Sequence, residues 1–266
     1  MSRPPVVLVT GAARRLGREI ALTLARGGYD VAVHYRHSQA DALDTVAALQ
    51  ALGARAEAFK ADLADEAACQ ALVPQVVTLW GRLDAVVNNA STFEYDTPES
   101  FSWAAMDTHW RANTAPAVAL ARALHAHAAQ AGHTGCVVNL LDQKLWNLNP
   151  DYFSYTLSKA ALQAATVMLA QALAPVLRVC GVAPGVTLVS GPMNEAEFAQ
   201  AHQLTPLQRS STPADIARAV QFLIESPAIT GTTLMVDGGQ HLQAQARDVL
   251  FLTQHSTPRP GNPSGT

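Results

Sequence analysis

Tyr155 and Lys159 stand four residues apart, and Asp142 precedes the tyrosine by thirteen. On a helix, residues four apart share one face, so the phenol and the ammonium are neighbours. The apolar pair Val137-Val138 reads as a buried strand leading into a loop that carries Asp142. The chemistry on offer is proton transfer. A lysine beside a tyrosine favours the phenolate and lowers the phenol pKa; a carboxylate opposes this and can supply protons. Tyr-x-x-x-Lys alone also describes an ordinary amphipathic helix with a wetted face. The elements that position the pair have to decide.

A second constellation opens the chain. The β-branched run at 6–9 ends at Thr10-Gly11, and Gly11-Ala12-Ala13-Arg14-Arg15-Leu16-Gly17 leads into an amphipathic helix closed by Gly27-Gly28. Strand, glycine loop and helix together form the place where a dinucleotide pyrophosphate binds. Glycines let the backbone approach it, and the helix start offers free N–H groups. The spacing is not G-x-G-x-x-G. The second strand ends in His34-Tyr35-Arg36-His37-Ser38, without the acidic residue that binds the ribose hydroxyls of NAD. Arg14, Arg15, Arg36 and Ser38 suit the 2′-phosphate of NADP instead, which points to NADPH. Asn88-Asn89-Ala90-Ser91-Thr92-Phe93 ends the fourth strand, at the edge where doubly wound folds bind ligands. Asn88 is placed to hold main chain near the cofactor. Phe93 is either core or a stacking plate for a flat substrate.

Strands are expected at 6–9, 29–35, 56–61, 83–87, 178–182 and 233–236, with one more around 137–138. Helices fall between them, at 41–52, 65–80 and 103–131, around Tyr155, and from Thr212-Pro213 onward. Pro74 predicts a kink or two short helices, and Pro116 a second kink. The alternation implies an α/β fold: a single-domain, Rossmann-like, doubly wound parallel sheet of about seven strands with helices on both faces. The domain is expected to span 1–255. The Pro/Gly/Ser-rich tail 256–266 is expected to be disordered, and 248–252 to dock on the body or on a neighbouring subunit.

The composition narrows the function. A net charge of −3 argues against nucleic-acid and membrane-surface partners. No apolar run approaches the length of a membrane span, and the start of the chain carries no signal-peptide core. Cys69, Cys136 and Cys180 read as buried free thiols, so a cytoplasmic location is expected. His125 and His127 point to different faces of a helix, no Cys/His cluster has zinc spacing, and no metal site is expected. A Gly-x-Ser-x-Gly elbow is absent.

Together these residues resemble the short-chain dehydrogenase/reductases over about 5–242. Thr10, Gly11 and Gly17 resemble the family's cofactor loop; Asp62, with Leu63 after it, falls where the family contacts adenine. Asn88-Asn89-Ala90 matches the motif after the fourth strand, and Asn113 the asparagine that completes a proton relay. Tyr155 and Lys159 match the catalytic pair, and Pro184-Gly185 the turn beside the nicotinamide. Two departures resemble the pteridine reductase subgroup, dihydromonapterin reductases included. Arg15 replaces the middle glycine, and Asp142 replaces the catalytic serine. Pro206-Leu207-Gln208-Arg209 resembles that subgroup's substrate loop, whereas 187–203 aligns poorly.

Chemistry supports the subgroup. A serine donates a hydrogen bond to a carbonyl oxygen; an ionised carboxylate cannot, and it repels a developing alkoxide. A pterin instead presents N–H groups and ring nitrogens that a carboxylate can serve. The resemblance thus implies NADPH-dependent reduction of a dihydropterin, of dihydromonapterin or dihydrobiopterin type, with dihydrofolate a further candidate. Asp142, Tyr155, Lys159 and Asn113 are its implied catalytic residues, and Ser91 and Phe93 shape its substrate site. The implied assembly is a homotetramer packed through the long helices. Two alternatives stay open: a general carbonyl or 3-oxoacyl reductase, and a non-catalytic NADPH-binding regulator.

Overall fold

Val6–Val9 (β1) is buried on both faces. Alternate residues of a strand point opposite ways, so Val7 and Val9 enter one core and Val6 and Leu8 the other. The same two-sided burial holds for Asp30–Tyr35 (β2), Ala85–Asn88 (β4) and most of Gly135–Leu140 (β5). Ala56–Lys60 (β3), Leu177–Pro184 (β6) and Thr233–Val236 (β7) complete a sheet of order β3-β2-β1-β4-β5-β6-β7, every pairing parallel. The computed structural model describes residues 3–189 and 193–254; the tail expected at 256–266 lies outside them.

Helices cover both faces. Arg15–Arg26 (α1), Gln39–Ala51 (α2) and, late in the chain, Pro213–Glu225 pack on one side. Glu66–Trp80 (α3), Ala115–Ala131 and Phe153–Ala172 pack on the other. The chain runs outward from β1 to β3 and then returns to place β4 on the other side of β1. That reversal opens a crevice at the strands' C-terminal ends, where ligands of such sheets bind.

Of the two alternatives at Pro74, two short helices do not form. The helix α3 is one unbroken element across Pro74. Pro74 and Gln70, whose carbonyl loses its helical partner, both face solvent, where water can satisfy that oxygen. The long helix is interrupted just before Pro116. Trp103–His109 (α4) passes through a π-helical turn, Trp110–Thr114, into Ala115–Ala131 (α5), with Pro116 in the first turn of the new helix. The turn carries Asn113 into the interior, 4% exposed. Phe153–Ala172 is α6. Glu195–Gln203 (α7) was not expected from the sequence, although Asn194 and Glu197 form a capping box that marks its start. Pro213–Glu225 (α8) begins at the Thr212 cap as expected. Val249–Gln254 (α9) docks on its own chain through Val249 and Leu250, which pack with Tyr152, Tyr155 and Met193.

Candidate active site

The end of β1 is held by β4. Thr10 Oγ1 accepts from the N–H groups of Asn89 (2.9 Å) and Ala90 (3.0 Å), and Asn89 Nδ2 donates to the Thr10 carbonyl at 2.9 Å. Asn89, not Asn88, therefore fixes the glycine loop. Asn88 donates instead to Asn139 Oδ1 on β5, and Asn139 Nδ2 to Thr166 of α6. The loop needs its glycines: Gly11 has φ +63, and a Cβ on Gly17 would lie 2.2 Å from the Gly11 carbonyl oxygen.

His34, read in the sequence only as part of a basic turn, braces this loop from β2. Its Nδ1 accepts from the Gly11 N–H at 3.0 Å, so Nε2 carries the proton and donates to the Ala61 carbonyl at 3.1 Å. Burial lowers its pKa from the ordinary 6.5 to about 4, because a charged ring is poorly solvated there. The unfolded chain takes up the proton near 6.5 and the folded chain only near 4. Stability is therefore complete above pH 6.5 and falls as pH drops toward 4, by up to about 3 kcal/mol. His34→Asn, which keeps an acceptor for Gly11, is expected to flatten this dependence in thermal unfolding at pH 7 and pH 4.5. Equal losses in both proteins would refute the assignment.

Two connected cavities lie along the crevice. The first, of about 420 Å³, is lined by Gly11, Arg14, Arg15, Leu16, Gly17, Tyr35, Arg36, His37, Ser38, Asp62, Leu63, Asn89, Ala90 and Ser91, among others. These are the residues expected to bind a dinucleotide up to its nicotinamide end. The second, of about 310 Å³, is lined by Tyr155, Lys159, Pro184, Gly185, Phe93 and Asp142, and shares Arg15, Leu16, Asn89 and Ser91 with the first. Arg15 stands between them in the left-handed region (φ +54), which costs a non-glycine residue about 1–2 kcal/mol. Its guanidinium donates to the Val189 carbonyl at 2.8 Å, tying the cofactor loop to the segment after β6.

Tyr155 is set by the start of α6. Tyr152, at the cap position, has φ +53 and offers no side-chain cap. Asp96 supplies it from another loop, accepting from the Ser154 N–H at 2.9 Å and from the Ser154 hydroxyl. One turn in, Tyr155 Oη donates to Asp142 Oδ2 at 2.8 Å, while Asp142 Oδ1 accepts from the Lys144 N–H at 2.9 Å. Burial raises the Asp142 pKa against these hydrogen bonds. Burial and the neighbouring Asp142 charge push the Tyr155 phenol well above its ordinary value. This corrects the expected lysine effect. Lys159 Nζ donates to the Leu140 carbonyl at 2.7 Å and lies 5.8 Å from the Tyr155 ring centre, and it does not offset the burial of the phenol. Burial instead brings Lys159 itself down to about 8.

Asn113 lines neither cavity. Its Oδ1 accepts from the Thr92 N–H (2.8 Å) and Ser91 Oγ (3.1 Å), and its Nδ2 donates to the Thr92 carbonyl and Ser158 Oγ. It thus fastens the loop after β4 to the tyrosine helix. Phe93 stacks on Tyr152 at 4.0 Å between ring centres, and the Tyr155 ring lies nearly perpendicular to it with centres 4.7 Å apart. One face of the expected stacking plate is therefore already taken by protein. Tyr152, Gln143, Met193, Gln240 and Asp248 also line the second cavity and were not expected.

The family model described as Enoyl-(Acyl carrier protein) reductase matches residues 11–241. The chain is 35% identical over 280 residues to pteridine reductase 1 of Leishmania tarentolae, covering 90% of this chain and 96% of that protein. It is 32% identical over 250 residues to the 3-oxoacyl-[acyl-carrier-protein] reductase FabG of Staphylococcus aureus strain Mu50, covering 88% and 97%. The crystal structure of FolM alternative dihydrofolate reductase 1 from Brucella suis in complex with NADP superposes with a TM-score of 0.88 at 38% identity, covering 93% of this chain and 99% of that one.

Proposed function

The chain belongs to the short-chain dehydrogenase/reductase family, and from that premise we propose that it reduces a dihydropterin to the tetrahydro form with NADPH. The observation that carries the reading is the Tyr155–Asp142 hydrogen bond of 2.8 Å, in a cavity that continues the cofactor cleft. The phenol keeps its proton at neutral pH, and Asp142, whose pKa burial raises, is the more acidic partner of the pair, from which a proton can pass to a basic atom. That suits a ring nitrogen. Similarity to pteridine reductase 1 and to FolM, both at 35% identity or more, supports the same substrate class.

The residues present fit NADPH. A Gly17 Cβ would close the loop, and Arg14, Arg36 and Ser38 line the first cavity where a 2′-phosphate needs cations and a hydroxyl. NADPH, when bound, supplies the hydride. Lys159 and Tyr155 bind its ribose in this reading, Asp62 and Leu63 its adenine end, and Pro184-Gly185 its nicotinamide side. Ser91 and Phe93 shape the pterin site, and Asn113 positions both through the Ser91–Thr92 loop. Gly17→Ala should weaken NADPH binding about tenfold or more, since relieving such a clash moves main chain. An unchanged dissociation constant in a fluorescence titration would count against this placement.

The same proposal includes a homotetramer built on α4, α5 and the π-turn between them, where Trp103 is 89% and Trp110 44% exposed. Sedimentation velocity tests it. A cytoplasmic location is likewise proposed; among the described residues no helix is long and apolar enough to cross a membrane.

NADPH oxidation with a dihydropterin, with dihydrofolate and with a panel of ketones tests the function. Turnover of the dihydropterin is expected. Turnover of ketones alone would favour the 3-oxoacyl reductase reading, which the similarity to FabG supports. Tight NADPH binding without any turnover would favour a regulator.

A further inference from the structure

Lys144 is a buried cation that serves neither cavity: it is 3% exposed and lines neither of them. Burying a lysine is costly unless the charge is paired, so its partners show what holds it there. It lies two residues after Asp142 in the short turn Gln143–Trp146, and its backbone N–H donates to Asp142 Oδ1 at 2.9 Å. Its ammonium donates to the Asp151 carbonyl, stands 5.5 Å from the centre of the Tyr152 ring and pairs with Asp248 Oδ2 at 3.3 Å. Asp151 and Tyr152 lead into α6, the helix of Tyr155, and Asp248 leads into α9. One side chain thus joins three segments: the turn that holds Asp142, the start of the tyrosine helix and the C-terminal segment.

The C-terminal segment is fastened at the same point. The Asp248 N–H donates to Asp151 Oδ2 at 2.7 Å, and Arg247 grips that carboxylate through Nε at 2.8 Å and Nη2 at 2.9 Å. Asp248 Oδ1 accepts from the Leu250 N–H at 3.2 Å, so both of its oxygens are held. Fixed charges of opposite sign act on a neighbouring acid in opposite senses. The ionisable groups around Asp142 are Tyr155 and Lys159 from α6, Lys144 from its own turn and Asp248 from the C-terminal segment. Burial raises the Asp142 pKa most strongly, and the hydrogen bonds from the Lys144 N–H and Tyr155 lower it; the Asp248 charge then raises it and the Lys144 ammonium lowers it.

We infer that Lys144 and Asp248 are a positioning pair for the proton transfer: together they hold the Asp142 turn against the start of the Tyr155 helix and balance the charge around that couple. This rests on the reading of Asp142 and Tyr155 as the proton-delivering couple and deepens it, because the docked C-terminal segment becomes part of the chemistry. Loss of that docking would leave the Lys144 ammonium unopposed near Asp142, favour the carboxylate and withhold the proton.

The test follows the titration of Asp142 in the full chain by carboxyl carbon NMR, assigned through Asp142→Ser, alongside the pH profile of kcat for dihydrobiopterin reduction. Lys144→Met keeps the backbone N–H that bonds Asp142 and removes the cation, so Asp142 should titrate at higher pH than in the wild type, by about half a pH unit or more. Asp248→Asn removes the anion and should move the titration to lower pH by a similar amount. The double variant Lys144→Met/Asp248→Asn removes both charges and should return toward the wild type. The falling limb of kcat should move with the titration, while KM for NADPH stays unchanged. Should Lys144→Met fail to fold, Asp248→Asn, which keeps an acceptor for the ammonium, and the double variant decide by the same signs. Shifts of one sign in both single variants, no shift in either, or a double variant that moves as far as a single one would mean that the pair merely fastens the C-terminal segment, and the inference is overturned. Unmoved titrations with dihydrobiopterin turnover intact leave the pterin reading standing. Opposite shifts in a protein that does not reduce dihydrobiopterin overturn the pterin reading and leave the positioning pair standing.

Discussion

Asp142→Ser is expected to lower kcat/KM for a dihydropterin by about 100- to 10,000-fold, the range of general acid–base catalysis, with NADPH affinity retained. The loss isolates the proton function. Serine can still cap the turn that Asp142 now caps through the Lys144 N–H at 2.9 Å, so the cost to folding is small. What disappears is an acid held by burial above the ordinary carboxylate range and bonded to Tyr155. Because proton delivery needs the protonated pair, the wild-type rate should fall as pH rises through its titration. The serine variant should lose that limb. Serine also offers a donor to a carbonyl oxygen that an ionised carboxylate does not, so the ratio of ketone to pterin turnover should rise. Full dihydropterin activity in Asp142→Ser would refute the role given to the carboxylate.

What could be read from the sequence was local in origin. The β1 run and its glycine loop are contiguous, and every residue expected to bind the dinucleotide lines one of the two cavities. The thirteen-residue spacing of Asp142 and Tyr155 closes into a 2.8 Å hydrogen bond. The groups that were missed act across long separations. Asp96 caps the tyrosine helix from 58 residues away, and Lys144 meets Asp248 across 104. No periodicity or turn signal encodes such contacts, because they depend on which strand ends the sheet brings together. The phenol's environment also depends on tertiary contacts. A shared helix face places Lys159 near Tyr155, but only tertiary packing gives the ammonium the Leu140 carbonyl as its partner and buries the phenol against Asp142. The π-turn that delivers Asn113 was likewise hidden in a run that reads as continuous helix.

Lys159→Met is expected to stabilise the fold while abolishing turnover. Lys159 is 3% exposed, and burial brings its pKa from the ordinary 10.5 to about 8. The unfolded chain keeps the proton up to 10.5 and the folded chain only to about 8, so stability rises with pH between these values. At pH 7 the buried charge therefore costs the folded state about 3 kcal/mol. Methionine fills similar space without the charge. Against that gain stands the lost hydrogen bond to the Leu140 carbonyl, which leaves a buried acceptor unpaired at a cost of about 1–3 kcal/mol. The net gain is about 1 kcal/mol, worth about 2–4 °C in melting temperature for a chain of this size. NADPH affinity should drop in the variant, because the ammonium assigned to the ribose is gone. In the wild type that affinity should fall as pH rises through about 8, where Lys159 loses its proton. A methionine variant that melts lower than the wild type would mean that the Leu140 contact outweighs desolvation. One that still turns over would mean that the lysine is not in the machinery at all. The expected pairing, higher melting temperature with no activity, would show that this residue is kept for its chemistry at the expense of the fold.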